Sequence, residues 1–176
     1  KEEEHPFSIA GNNADGTLRF ISKKLGDSTN TMSDLKVGDK ALVEGPYGNF
    51  NFSRAGKKQC WIAGGIGITP FLAFAEALPS NYQVKLFYCI KDETENAIAK
   101  DIARLQVQKT NLEIIIWSSK SQGLLTAEKA VEGFAIDDVD VFLCGPTGII
   151  TAMREQLFAL KVPHHRIHQE KFSLLS

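Results

Sequence analysis

Hydrophobic and polar positions follow one rhythm up to about residue 55 and a different one after it. Upstream, short alternating runs sit between turn clusters, the pattern of antiparallel strands. Residues 7–10 and 17–22 read as two strands flanking Gly11-Asn12-Asn13-Ala14-Asp15-Gly16. A second turn, Lys36-Val37-Gly38-Asp39, leads into a further strand pattern at 41–44. Gly45-Pro46-Tyr47-Gly48 then breaks regular structure. The polar stretch 52–58 marks a boundary. Downstream, apolar runs suited to buried parallel strands fall at 59–63, 84–90, 112–117, 139–143 and 167–174. Between them lie helical spacings at 70–78, 97–108, 126–131 and 148–160, the last with Ile149, Ile150, Met153, Leu157 and Leu160 on the apolar side. Alternating strands and helices predict an α/β fold with a doubly wound parallel sheet, preceded by a segment of strands and turns. No internal repeat or low-complexity segment is visible.

Composition narrows the function classes. The 176 residues are 43% hydrophobic, enough for a globular core. A formal net charge of −1 and the lack of a basic stretch argue against a nucleic-acid partner. Cys60, Cys89 and Cys144 are odd in number and widely spaced, which suits a reducing compartment better than a disulfide framework. No apolar run approaches the ~20 residues of a membrane helix. The start, Lys1-Glu2-Glu3-Glu4, is unlike a signal peptide and lacks an initiator Met, so it reads as a cut inside a longer protein.

The strongest local signal is Ala63-Gly64-Gly65-Ile66-Gly67-Ile68-Thr69-Pro70. It follows a strand and opens a helix. Glycines permit a tight turn and close approach of a ligand to the backbone. Thr69 is expected to cap the helix and Pro70 to occupy its first position. Free N–H groups and the helix dipole there favour an anion such as a pyrophosphate. Pro70 stands where the common G-x-G-x-x-G pattern has its last glycine. Alone, the run serves equally as a tight turn without a ligand. A second strand-to-helix turn, Cys144-Gly145-Pro146-Thr147-Gly148, is expected to face the first across one cleft, because ligands of open parallel sheets sit at strand carboxyl ends. Cys144 has no base associated with it in sequence, so it reads as a small buried hydrophobe rather than a nucleophile.

His5-Pro6-Phe7-Ser8-Ile9, Gly45-Pro46-Tyr47-Gly48, the glycine run and Cys144-Gly145-Pro146, in that order, resemble the ferredoxin–NADP reductase superfamily. The His-Pro-Phe-Ser variant is most similar to the dehydrogenase domain of its ferric reductase and NADPH oxidase branch. The resemblance implies a flavin reductase module with FAD and NADPH as cofactors, NADH being the alternative nucleotide. It divides the chain into the C-terminal half of an FAD-binding barrel (1–55) and an NAD(P)H-binding domain (56–176). In that family His5, Pro6, Phe7 and Ser8 would line the flavin, with Phe7 packed on its ring and Ser8 near its reactive edge. Leu25-Gly26-Asp27-Ser28-Thr29 resembles the segment that holds the FAD pyrophosphate through Gly26 and Thr29. Gly65, Gly67, Thr69 and Pro70 would cradle the dinucleotide. Cys144, Gly145 and Pro146 would set the nicotinamide against the flavin. Phe172, in Glu170-Lys171-Phe172, would sit by the flavin ring and yield to the nicotinamide. Ser8, Cys144 and Phe172 are thus the residues expected around the reacting atoms.

The resemblance also implies an onward electron acceptor: haem, iron or oxygen. Relatives in the ferric reductase and NADPH oxidase branch carry a haem-binding membrane part upstream, which would put this module on the cytoplasmic side. The runner-up is the reductase component of an oxygenase or of a flavohaemoglobin-like system. A non-catalytic nucleotide-binding module is the rival from another class. Lys91, Ser119 and Lys120, after the second and third parallel strands, favour a 2′-phosphate and hence NADPH. His164-His165-Arg166-Ile167-His168 raises the question of a metal. Pro163 and the strand-like sequel speak against a shared helix face, and no carboxylate or cysteine completes a ligand set, so no metal is assigned.

Overall fold

A computed structural model describes residues 5–12, 15–23 and 31–172. Two sheets form. Strands β1 (Ile9–Asn12) and β2 (Leu18–Phe20) pair antiparallel. Five parallel strands make the second sheet: β3 (Lys58–Gly64), β4 (Gln83–Ile90), β5 (Leu112–Ser118), β6 (Asp140–Pro146) and β7 (Ile167–Phe172). Their order across the sheet is β5-β4-β3-β6-β7. The chain works outward from β3 to β5, then returns to the other side of β3. The strand order therefore reverses between β3 and β6, the place where open α/β sheets leave a crevice.

Alternating side chains of the strands serve two cores. Trp61, Ala63, Leu86, Tyr88, Phe142 and Cys144 point to the face covered by helices α1 (Thr69–Ala77) and α2 (Ala99–Gln108). Cys60, Ile62, Phe87, Val141 and Leu143 point to the other face. There, beyond the short helix α3 (Ser119–Gln122), α4 (Ala127–Val131) and α5 (Thr147–Ala159) close over them with Ala130, Ile150, Met153 and Leu157. The period-2 strands carry apolar residues on both faces because helices cover both.

All the strands and helices expected downstream of residue 56 form, with ends shifted by a few residues, and residues 173–174 of the last expected strand lie outside the described residues. The upstream half differs. Residues 41–44 were expected to be a strand, yet 39–51 hold no regular element. A strand needs a neighbour to take its backbone N–H and C=O groups, and no described residue pairs with this segment. Its apolar side chains stay in the open: Leu35, Val37, Leu42, Val43 and Tyr47 are all exposed. Phe50 and Phe52, on the upstream side of the expected boundary, instead pack into the core of the parallel-sheet part. Phe50 stacks against Phe74 and meets Phe71 and Phe142 edge-on, with Phe52 against Trp61. No helix among the described residues is long and apolar enough to cross a membrane.

A buried polar hub at the amino edge of the sheet ties this linker down. Asp140 begins β6 and is nearly buried, with its side chain 5% exposed. Its Oδ2 accepts from the Gly56 backbone N–H at 3.0 Å and from Arg166 Nη1 at 2.7 Å. Its Oδ1 lies 2.8 Å from His168 Nε2, and the His168 ring stacks on Phe142 at 4.3 Å. Gln59 extends the network by donating to the Phe52 and Gly56 carbonyls and accepting from Trp61 Nε1. The histidine cluster seen in sequence is thereby split. His168 serves this hub, whereas His164 stacks on Phe158 at 4.0 Å. Removing one partner of a buried charged group strands the others. Asp140→Ala is therefore expected to cost about 3 kcal/mol in denaturant unfolding, far more than an exposed Asp138→Ala.

Candidate functional site

The two glycine-bearing segments come together at the reversal point. Register pairs Ala63 of β3 with Cys144 of β6, and Pro146 of β6 with Phe172 of β7. On the other side Gly64 pairs with Cys89, and Ile90 with Ser118. The carboxyl ends of all five parallel strands, and the expected residues that follow them, thus share one edge. The backbone of Phe172 lies on that edge. Gly26 and Thr29 lie outside the described residues.

The first turn is a 3-10 segment, Gly65–Ile68, running straight into α1. Here the expectation for Thr69 needs correction. Thr69 is the first residue of α1, with Pro70 second, and its side chain caps nothing. Its hydroxyl donates backward to the Ile66 carbonyl at 2.8 Å, because the preceding 3-10 turn has already begun the helical winding. It is 2% exposed, so it shapes the turn from inside. The second segment is also less of a turn than its sequence suggests. β6 runs through Pro146, and α5 starts at the next residue.

The two segments do not leave a gap between them; they touch backbone to backbone. A Cβ on Gly67 would stand 2.1 Å from the Cys144 carbonyl oxygen and 2.7 Å from Gly145 Cα. A Cβ on Gly145 would meet the Gly64 backbone at 3.0 Å. Gly67 is therefore consumed by packing. Gly65 behaves otherwise: its φ is +53°, and a Cβ there would meet nothing within 4 Å. Of the two, Gly65 is the one that leaves its backbone open to a ligand.

A cavity of about 420 Å³ opens beside Gly65. Ile66, Ile68, Tyr88, Ile90 and Ile98 make it apolar, and Ile21, Ser22 and Lys23 close it from the upstream part. Its size falls within the range of small-molecule and cofactor pockets. Asn96 lies between two lining residues, Glu95 and Ala97, and its buried Oδ1 has no partner among the described residues. Lys23, Tyr88 and Asn96 carry no motif, and nothing in their sequence surroundings singled them out.

Cys144 is 1% exposed, and burial, with the nearby Glu170 carboxylate second, pushes its thiol well above the ordinary range. It stays a neutral thiol at physiological pH, as a shaping group rather than a nucleophile. Glu170, opposite it in register, is itself raised by burial. Upstream, Phe7 is half-buried and meets Phe20 edge-on at 6.5 Å, Ser8 is half-buried, and His5 and Pro6 are exposed. At the far end of the edge Lys91 and Lys120 are exposed and Ser119 is half-buried. The Lys91 carbonyl accepts from the Lys120 N–H at 3.0 Å and from Ser118 Oγ at 3.3 Å, which laces the ends of β4 and β5 together. Lys120 Nζ pairs with Asp92 Oδ2 at 2.5 Å.

The contrast between the glycines is directly testable. Gly65→Ala is expected to cost only about 1 kcal/mol, the penalty of a left-handed residue in open space. Gly67→Ala must push the Gly65–Ile68 turn off the end of β6, and should lower the thermal midpoint far more.

Comparison with known proteins agrees with this geometry. The family profile described as "Oxidoreductase NAD-binding domain" matches residues 61–155. Flavohemoprotein A of Dictyostelium discoideum is 28% identical over 156 residues, 85% of this chain and 39% of that protein. The carnitine monooxygenase reductase subunit of Escherichia coli is 28% identical over 158 residues, 89% of this chain and 48% of that protein. The chain thus spans less than half the length of either relative. Among solved structures, the flavohem-like FAD/NAD-binding domain of nitric oxide dioxygenase from Vibrio cholerae superposes with a TM-score of 0.78 at 26% identity, covering 94% of this chain and 76% of that one. With more than half its length matched by the profile and its parallel sheet and upstream hairpin sharing that fold, the chain belongs to the oxidoreductase NAD-binding domain family, of the ferredoxin–NADP reductase-like type.

Proposed function

We propose that this chain is the nucleotide-binding part, with a portion of the flavin-binding part, of a reductase that moves electrons from NAD(P)H through FAD to a one-electron acceptor. The observation that carries the reading is the convergence at one sheet edge. An open glycine turn, a buried neutral thiol and the end of β7 meet at the strand-order reversal, and a cavity beside them is walled by both parts of the chain. When bound, the nicotinamide supplies a hydride from C4, the flavin takes it at N5, and the electrons leave singly.

The residues at the first glycine turn suit a dinucleotide. The Gly65 backbone has free space where a side chain would block a pyrophosphate, and it lies just before a helix amino terminus. Lys23 offers a cation at the cavity wall and Asn96 an unused acceptor. In this reading Gly65, Gly67, Thr69 and Pro70 form and hold the turn that receives the dinucleotide. Cys144, Gly145 and Pro146 position the nicotinamide, with Phe172 at the neighbouring strand end. His5, Pro6, Phe7 and Ser8, with Gly26 and Thr29, hold the flavin, and residues 1–55 are the corresponding barrel portion. None of these side chains needs to act as acid or base; the work is orientation, stacking and exclusion of water.

The relatives bear on the acceptor. They are a flavohaemoprotein and an oxygenase reductase subunit, so a haem or oxygenase partner is the reading they favour. A ferric reductase or NADPH oxidase-like role, with a membrane haem domain, is a second reading favoured by the His5-Pro6-Phe7-Ser8 variant.

Anaerobic reduction tests the proposal. The protein is mixed with FAD, then with NADPH or NADH, and loss of oxidised flavin absorbance is followed. Bleaching that saturates with nucleotide is expected; nucleotide binding without bleaching would make this a binding module. Cys144→Ala should slow the bleaching about tenfold or more while nucleotide affinity changes little, the sign of a group that positions reacting atoms. Lys120→Glu should weaken NADPH more than NADH; an unchanged ratio of dissociation constants would remove Lys120 from the 2′-phosphate site.

A further inference from the structure

The hairpin that follows the flavin-lining segment is held to the nucleotide-binding part by a ring of four charges. Arg19, on β2, reaches over to the helices. Its Nη1 donates to Asp101 Oδ1 of α2 at 2.5 Å, and its Nη2 lies 3.6 Å from Glu76 Oε1 of α1. Arg104, one turn beyond Asp101, closes the ring: its Nη2 is 2.7 Å from Glu76 Oε1 and 3.5 Å from Asp101 Oδ1. Each acid thus touches both guanidiniums, and the four charges cancel. Arg19 Nη2 also donates to the Ala10 carbonyl at 3.3 Å, so the same side chain grips β1. Glu76 lies directly under β1, where a Cβ on Gly11 would stand 2.6 Å from its Oε2. Arg19, Glu76 and Asp101 are partly shielded and Arg104 is exposed; four charges joined in a network are worth more than isolated surface pairs.

The chain path gives the ring its significance. His5–Ser8 run directly into β1, while α1 starts directly after the Gly65–Ile68 turn. A connection from Arg19 to Glu76 therefore links the segment that would line the flavin to the helix that carries the turn receiving the nucleotide. A two-stranded hairpin has little stability of its own. Its orientation must come from what it rests on.

We propose that Arg19 is a positioning residue: through Asp101 and Glu76 it clamps the β1–β2 hairpin onto α1 and α2 and so sets the separation between flavin and nicotinamide. The proposal rests on the reductase reading for its kinetic consequence, but the clamp itself is measurable without it. Hydride transfer is sensitive to ångström-scale displacement of the reacting atoms, whereas nucleotide binding rests mainly on the Gly65 turn and meets the upstream part only through Ile21–Lys23 just after the hairpin.

The test compares the intact chain with Arg19→Ala and Arg19→Lys. Hydrogen–deuterium exchange reads the amides of the hairpin and of the parallel sheet. Anaerobic stopped flow reads flavin reduction at saturating nucleotide. For Arg19→Ala, hairpin exchange should speed up about tenfold, the order expected from losing a small ion-pair network. Exchange in β3 and β6 should stay as it was, the nucleotide dissociation constant should shift far less than the rate, and the limiting reduction rate should fall about tenfold. Arg19→Lys should keep part of each, since one ammonium cannot span two carboxylates in the guanidinium's geometry. Unchanged hairpin exchange would overturn the clamp whether or not flavin is reduced. Faster exchange with an unchanged reduction rate would overturn its role in positioning. A wild-type protein that reduces no flavin would refute the reductase reading, and the exchange measurement would still decide the clamp.

Discussion

The contact between Gly67 and the backbone of Cys144 and Gly145 is the constraint on which the rest of the site depends. Parallel strands sit at fixed spacing, so a loop leaving one strand end normally clears its neighbour. Here the turn after β3 folds over the end of β6 with no side chain between them. That closeness sets the start of α1, and it buries Cys144 under the turn. It also pushes Gly65 outward, leaving a left-handed residue with open space before it. Packing and binding are thereby divided between two glycines only two residues apart.

The remainder of the edge follows from the sheet order. Because β3 lies at the centre, with β4 on one side and β6 on the other, chain segments far apart in sequence reach the same crevice. The β4 and β5 ends bring Lys91, Ser119 and Lys120, laced through the Lys91 carbonyl. The β6 and β7 ends bring Cys144 and the backbone of Phe172. At the opposite edge the Asp140 hub holds the linker at Gly56 and the start of β7 at His168. Together with the charged ring at Arg19, it anchors the upstream part at two separate places. Both anchors are polar and partly or wholly shielded, so their geometry is directional, in contrast to the tolerant apolar packing of Phe50 and Phe52.

Much of this was legible along the chain. Apolar runs and helical spacings located every parallel strand and the longer helices, because the central strands are buried on both faces and each helix on one. The glycine run announced its turn, since only glycine suits a left-handed residue and a contact without Cβ. Residues 41–44 misled because alternation describes a strand that has a partner, and a partner is a tertiary fact. Thr69 misled because a hydroxyl before a proline reads as a cap, while the 3-10 winding that made a cap redundant depends on how the turn packs against β6. Asp140, Gln59 and the Arg19 ring carried no signal at all: their partners lie 2 to 84 residues away.

The sequence by itself thus determined the fold class, the order of elements and the residue types able to meet a dinucleotide and a flavin. The fold class, the element order and the dinucleotide turn follow from local periodicity and the chemistry of single residues, and the flavin contacts from the family resemblance alone. Only the tertiary structure decided which glycine packs and which stays open, which carboxylates are spent on holding the parts together, and which apolar residues wall the cavity. Those outcomes depend on through-space distances of a few ångströms between segments the chain separates widely, and such distances exist only once the strand order is set.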